Sequence, residues 1–291
     1  MFPAKLEYYR PEKLSGALEL LDENPGLIVL AGGQSLIPAL KHRRTTPRGL
    51  VDIGHIRELQ RIERVGNKIR VGSLITYATL LNNETIASKQ PVLREAASQI
   101  ADPQVRNVGT LGGSLCWSDP LYDMPAVMHV LNSSMIIAGK DGERRVDAGS
   151  FFKHPFRTTL RPDEILKEVE VPVKSSSEGY AYHKFRKGSG GYSITGAASY
   201  ISIGDDGAVS NCRIAVTAPP SNAYRSAKAE QWLIGKKVSA QALEQAAELA
   251  AGELKSTDPY RASWNYTNSV LNGLIVLSLK TAHQNASEAE G

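Results

Sequence analysis

Cysteine is nearly absent from this chain of 291 residues, which holds two, Cys116 and Cys212, far apart and in unlike contexts. That excludes a disulfide scaffold, and two thiolates cannot complete the cysteine ligand set of an iron–sulfur cluster. Histidine is sparse as well: the six residues, at positions 42, 55, 129, 154, 183 and 283, never fall at a spacing that metal sites favour. Redox chemistry here would therefore need an organic cofactor. Long apolar runs are also missing, since none approaches the roughly 20 residues that cross a bilayer. The opening Met1-Phe2-Pro3-Ala4-Lys5 lacks the basic-then-apolar layout of a secretory signal, so the expectation is a cytoplasmic chain without a membrane span. Dense basic patches are lacking too. The formal net charge is +4, and no Lys/Arg block is interleaved with aromatics, which argues against nucleic acid as a partner. The short Lys41-His42-Arg43-Arg44 run reads as the solvated end of a helix.

What is present is an ordinary globular composition, 42% hydrophobic and 22% charged, in a chain long enough for two cores. Leu14, Ala17, Leu18 and Leu21 recur at helical spacing within 11–23. The run Leu27-Ile28-Val29-Leu30 suits a strand, the glycine turn 31–35 follows it, and a helix is expected from Leu36 toward Lys41. Further strands are read at 51–53 and 68–72, and helices at 76–81 and 91–101. A second glycine segment occupies 109–114. The Lys140-Asp141-Gly142 turn joins strands at 133–139 and 143–146, and alternating Val169, Val171 and Val173 mark one more strand. The polar stretch 174–179 reads as a linker. Beyond it, strands at 197–203 and 209–218 flank Asp205-Asp206-Gly207, and helices are expected over 223–234, 239–254 and 269–283. Strands followed by helices indicate a small α+β domain.

Chemistry points to the two glycine segments. A glycine loop between strand and helix lets backbone N–H groups approach phosphate oxygens without Cβ interference, aided by the helix dipole. Neither segment fits G-x-G-x-x-G or G-x-x-x-x-G-K. Each alone is a weak signal, since a Gly-Gly pair is usually just a tight turn, and the sequence does not show whether the two converge.

Leu30-Ala31-Gly32-Gly33-Gln34-Ser35-Leu36-Ile37-Pro38 resembles the first FAD loop of the carbon monoxide dehydrogenase and xanthine dehydrogenase flavoproteins. So does the block from Asp102-Pro103-Gln104 through Gly109-Thr110-Leu111-Gly112-Gly113-Ser114 and Asp119-Pro120 to Asp123-Met124-Pro125-Ala126. Phe151-Phe152, Asp163-Glu164-Ile165-Leu166 and Tyr182-His183-Lys184 follow in the same order. Arg225, Glu230, Leu233 and Gly235 resemble the family's small domain, so the likeness covers nearly the whole chain. The resemblance implies an α+β fold: a two-part FAD-binding domain of the PCMH type over 1–175, then over 180–285 a small α+β domain with an antiparallel sheet and helices.

By position, the resemblance implies that Ala31, Gly32, Gly33, Gln34 and Ser35, with Thr110, Leu111, Gly112, Gly113 and Ser114, hold the FAD pyrophosphate through backbone amides and hydroxyls. Asp123 would accept hydrogen bonds from ribityl or ribose hydroxyls, with a helix N-cap as its other reading. Ile100 and Leu166 would border the cofactor. Lys184 would lie near the flavin ring or else be a surface lysine. No metal ligand and no catalytic side chain is implied.

The implied function is an electron-transfer subunit of a molybdenum hydroxylase. Its partners would be a large molybdenum–pterin subunit and a small subunit with [2Fe-2S] clusters, in a dimer of heterotrimers. The alternatives are a self-contained FAD oxidoreductase with its own substrate, and a nucleotide-binding module without turnover. The chain departs from the family at Trp117, where a small residue or His is usual, and at Tyr122, usually Ala. Gly190-Gly191 lacks an expected acid, and Asn265-Tyr266-Thr267 replaces a Tyr-Arg pair. Trp117 is read as interface or core packing rather than flavin stacking, and Trp117 and Tyr122, if exposed, are candidates for a surface that buries against partner subunits.

Overall fold

In the computed structural model the described residues are 2–186, 188, 191–217, 221–254 and 263–287, excepting the side chain of Trp264. The chain opens with β1 (Glu7–Tyr9), α1 (Leu14–Glu23), β2 (Leu27–Leu30), α2 (Leu36–Lys41) and β3 (Gly49–Asp52). The strands form a parallel sheet in the order β1-β3-β2. Leu14, Ala17, Leu18 and Leu21 are the buried face of α1, as their spacing requires. Ile28, Val29 and Leu30 remain half-buried, because one side of β2 borders a cleft. Lys41 to Arg44 are exposed at the end of α2, as read from the sequence.

A second unit follows with β4 (Ile62–Val65), β5 (Lys68–Gly72), α3 (Tyr77–Asn82), α4 (Glu84–Lys89), α5 (Pro91–Ser98), α6 (Pro103–Val108), α7 (Leu111–Trp117) and α8 (Met124–Val130). It continues through β6 (Ser134–Gly139), β7 (Gly142–Asp147), α9 (Ala148–Phe151), β8 (Phe152–His154), β9 (Arg157–Thr158) and β10 (Ile165–Pro172). The main sheet is antiparallel in the order β4-β5-β10-β6-β7. Val169 and Val171 are buried in β10, a strand as the alternation indicated, which lies at the centre of this sheet. The β6–β7 hairpin turns at Gly142, where φ is +125°. α5 stops at Ser98 rather than 101: Ala101 has φ +41°, which no helix continues, and Ile100 is freed to face the cleft. Asp102 then caps α6, its carboxylate accepting from the Val105 amide, with Pro103 in the first turn.

The last unit comprises β11 (Glu178–Arg186), β12 (Ser193–Ile203), β13 (Val209–Thr217), β14 (Tyr224–Arg225), α10 (Ala227–Leu233), α11 (Ala240–Gly252) and α12 (Trp264–Ser287). Its antiparallel sheet runs β11-β12-β13-β14. Ala242, Ala246, Ala247, Ala250 and Ala251 form the buried face of α11, and their small side chains let helices pack closely. Two sequence expectations are corrected here. Glu178 and Gly179 are not linker but the start of β11. A Cβ on Gly179 would lie 1.7 Å from the Ala282 carbonyl oxygen, so this glycine admits the backbone of α12 against the sheet. Residues 223–226 are not helical: Arg225 pairs with Ala215, and the helix begins only after Ser226, whose hydroxyl accepts from the Ala229 amide. Ala218, the expected end of the second strand, lies outside the described residues. Among the described residues no helix is long and apolar enough to cross a membrane.

Candidate functional site

The two glycine segments, separate in sequence, meet in space. A Cβ on Gly32 would stand 2.1 Å from the Val108 carbonyl oxygen, and one on Gly113 would stand 3.8 Å from Ala31 Cβ. Together they wall a cleft of about 460 Å³, within the roughly 300–1,000 Å³ of sites for cofactor-sized ligands. The absent side chains here serve close packing of backbone on backbone. Gly112 shows the same need, since its Cβ would lie 2.4 Å from Ser73 Cβ. Gly33 adopts φ +70°, the left-handed conformation that glycine enters without penalty.

The loops differ in what they offer a ligand. Among the described residues, the amides of Gly32, Gly33, Gln34 and Ser35 have no protein acceptor. In the second segment Leu111 N–H donates to Ile75 (2.9 Å), Gly112 to Ser73 (2.8 Å) and Ser114 to Thr110 (3.2 Å). Gly113 N–H donates to Thr110 Oγ1 at 3.1 Å, which leaves the Thr110 hydroxyl hydrogen available. The first loop thus presents backbone donors and the second mainly the Thr110 hydroxyl, since Ser114 Oγ donates to the Leu111 carbonyl at 3.0 Å. Leu111 does not border the cleft: its side chain is fully buried in the core beneath it. Ala31, Ile100, Thr110, Gly112, Gly113, Ser114, Asp123, Leu166 and Lys184 all line it with the first loop. α2 and α7 span 6 and 7 residues, so individual amides and hydroxyls matter here more than helix dipoles.

Asp123 stands at the N-cap position of α8, yet its side chain makes no cap hydrogen bond. Instead Oδ1 accepts from the Tyr182 hydroxyl at 2.5 Å and Oδ2 from Lys184 Nζ at 2.7 Å. Lys184 is therefore no surface lysine. Burial pushes the Asp123 carboxyl above its ordinary range, while Lys184 and the Tyr182 hydroxyl pull it back. Tyr182 and Lys184 lie on β11, so this cluster ties the last unit to the cleft floor.

Tyr122 faces inward rather than toward a partner surface, and Trp117 packs within the fold, one of the two placements read for it. Both are half-buried and line the cleft. Trp117 packs edge-on to Phe156. The Tyr122 hydroxyl hydrogen-bonds Ser35 Oγ at 2.5 Å, and its ring stacks on exposed Tyr192 at 6.2 Å. Hydrogen-bonding and stacking partners within the fold, invisible in the sequence, hold Tyr122 inward. Gly191 lines the cleft, whereas Gly190 lies outside the described residues. Further cleft residues escaped the sequence reading, Tyr77, Ser73 and Cys116 among them. Tyr77 hydrogen-bonds Ser114 from below, Ser73 lies beside Gly112, and Cys116 is held as a thiol, its pKa pushed up by burial to about 12. Glu164, also on the wall, is gripped by Arg144 Nε and Nη2, each at 2.7 Å, and that contact holds its carboxyl below the usual range. Among the described residues no group of His, Cys, Asp or Glu could hold a metal ion.

Free amides beside glycines, the Thr110 hydroxyl on the second segment and the Asp123 cluster in the same cleft suit a ligand that carries both phosphate and hydroxyl groups. Such an arrangement defines a dinucleotide-binding protein. Residues 4–174 match the FAD binding domain in molybdopterin dehydrogenase, and residues 180–282 match the CO dehydrogenase flavoprotein C-terminal domain. The chain is 33% identical to the glyceraldehyde dehydrogenase medium chain of Sulfolobus acidocaldarius, over 96% of this chain and 99% of that one. It is also 33% identical to the nicotine 6-hydroxylase medium subunit of Paenarthrobacter nicotinovorans, over 93% and 94%. Carbon monoxide dehydrogenase from Hydrogenophaga pseudoflava superposes with a TM-score of 0.95 at 32% identity, covering 98% and 99% of the two chains. Quinoline 2-oxidoreductase from Pseudomonas putida 86 gives 0.92 at 31% identity, covering 98% and 99%. The chain belongs to the family of FAD-binding medium subunits of molybdenum hydroxylases.

Proposed function

We propose that this chain is the electron relay of a molybdenum hydroxylase, and that the convergent loops are its FAD diphosphate site. The partners would be a large molybdenum–pterin subunit and a small [2Fe-2S] subunit, assembled as a dimer of heterotrimers. Bound FAD supplies the redox chemistry, taking electrons from the reduced iron–sulfur partner and passing them to a terminal acceptor. The residues of this chain bind and position. The amides of Gly32 to Ser35, which have no protein acceptor, would donate to the diphosphate, and Thr110 would add a hydroxyl across the cleft, as would Ser114 on turning from the Leu111 carbonyl. Asp123 already accepts from Tyr182 and Lys184, yet each carboxylate oxygen has a second lone pair for a ribityl or ribose hydroxyl. Lys184 sets positive charge beside the ring, Ile100 and Leu166 border the cofactor, and Leu111 supports the second loop from beneath. No side chain is asked to act as catalytic acid or base.

The observation that carries this reading is the contact of the Gly32 loop with Val108 and Gly109, because one diphosphate can then meet both segments. The medium-chain and medium-subunit names of the relatives support the division of labour. The purified chain is expected to carry one non-covalent FAD, released on acid denaturation. The half-buried Cys116 thiol, kept protonated, is a poor nucleophile for a covalent flavin bond. A colourless chain that takes up no added FAD contradicts the reading.

A further inference from the structure

Ser73 follows β5 directly and is 4% exposed. Its backbone is fully engaged: the amide donates to the Lys167 carbonyl at 2.9 Å, and its carbonyl accepts from Gly112 N–H at 2.8 Å. These bonds clamp the residue between the central strand of the antiparallel sheet and the second glycine segment. Only its hydroxyl is left over. Ser73 Oγ is closed to bulk water and has no hydrogen-bond partner, although the residue lines the cleft. A buried hydroxyl without a partner is destabilising, and on the other sides Ser73 is walled by the strand end and Gly112. A partner can reach it only from the cleft, with the hydroxyl turned to a cleft-facing rotamer.

We infer that Ser73 is an additional cofactor-binding residue, whose hydroxyl donates to an oxygen of the FAD diphosphate. The inference rests on the reading of the cleft as the FAD site. Its position selects that part of the ligand. Ser73 Cβ approaches the backbone of Gly112 so closely that a Cβ there would stand 2.4 Å away, and Thr110, with its free hydroxyl hydrogen, opens the same segment. A neutral hydroxyl suits a phosphate oxygen there, because a hydrogen bond to a charged acceptor is stronger than one between neutral groups. Alanine at this position would keep the fold and lose the donor.

The test compares wild type with Ser73→Ala as full chains stripped of flavin. FAD and ADP affinities are read by flavin fluorescence quenching and by competition, and the apoprotein's thermal midpoint is read separately. One lost bond to a charged acceptor predicts roughly ten-fold weaker FAD binding. ADP, which shares the diphosphate, should weaken by a similar factor. The apoprotein midpoint should rise by about 2 °C or more, because an unsatisfied buried hydroxyl has been removed. Ser73→Cys, close in volume but a weak donor, should show the same loss of affinity and carries the test if the alanine variant does not fold. FAD affinity within about two-fold of wild type in a folded variant overturns the assignment. Weakening confined to FAD, with ADP unchanged, also overturns it by moving the hydroxyl to the flavin half. A wild-type chain that binds no FAD fails at the earlier step, the cleft itself.

Discussion

Lys184 Nζ lies 2.7 Å from Asp123 Oδ2, with the two side chains 3% and 6% exposed, and the pair joins β11 to the head of α8. Removing one partner from such a pair strands a buried charge, at about 3–5 kcal/mol. Lys184→Met should lower stability by that amount in urea denaturation, and Asp123→Asn added to it should recover a good part. A single variant that costs less than about 1 kcal/mol would mean that water solvates the carboxylate. In FAD titrations Lys184→Met should also weaken binding, since Asp123 loses its orientation.

The glycines make a separate prediction. At Gly112 a side chain would meet the protein itself before any phosphate, with Ser73 Cβ 2.4 Å from where its Cβ would stand. Gly32→Ala and Gly112→Ala should therefore destabilise the flavin-free chain by about 1–3 kcal/mol, the usual cost of overpacking. Loss of FAD would be a consequence. Alanine variants with wild-type apoprotein midpoints would contradict the packing at Val108 and Ser73.

These positions show what was legible in the sequence. Strand, glycine turn and helix at 27–41 were readable because each has a local signature, and the β6–β7 turn was readable from Gly142. The convergence of Gly32 with Val108 was not, because it depends on how two distant segments pack. Gly179 misled: a glycine in a polar stretch reads as flexibility, whereas here it admits the Ala282 backbone. Tyr122 misled in the other direction, since only its Ser35 hydrogen bond and Tyr192 stack turn it inward. Ser73 carried no signal at all, being a single serine after a strand.

Tyr122 offers a test of that inward placement. Its hydroxyl holds Ser35 Oγ, and a neutral hydrogen bond contributes about 0.5–1.5 kcal/mol. Tyr122→Phe should weaken FAD binding by roughly three- to ten-fold while the apoprotein midpoint moves little. Unchanged affinity would separate Ser35 from the cofactor.

Glu95, on α5, accepts from the Tyr182 amide at 3.3 Å, and burial raises its carboxyl from 4.5 to about 7. The folded chain then binds this proton more tightly than the unfolded one. Its contribution is full below about pH 4.5 and is lost as pH rises through about 7. Glu95→Gln should flatten the fall in thermal midpoint across that window. A variant whose pH profile parallels wild type would assign the fall to other groups.

The central claim is that electrons from the organic substrate reach the flavin of this chain only through its partners. Flavin bleaching followed by stopped flow tests it, with the FAD-loaded chain alone and then in the reconstituted complex, on the same substrates. Contact close enough for electron transfer implies that the chain buries on the order of 1,000 Å² or more against its partners. The account predicts rapid bleaching by dithionite in both samples, and by organic substrate in the complex alone. Rapid bleaching of the isolated chain by an aldehyde, a purine or an N-heterocycle would contradict it and make the chain a dehydrogenase in its own right.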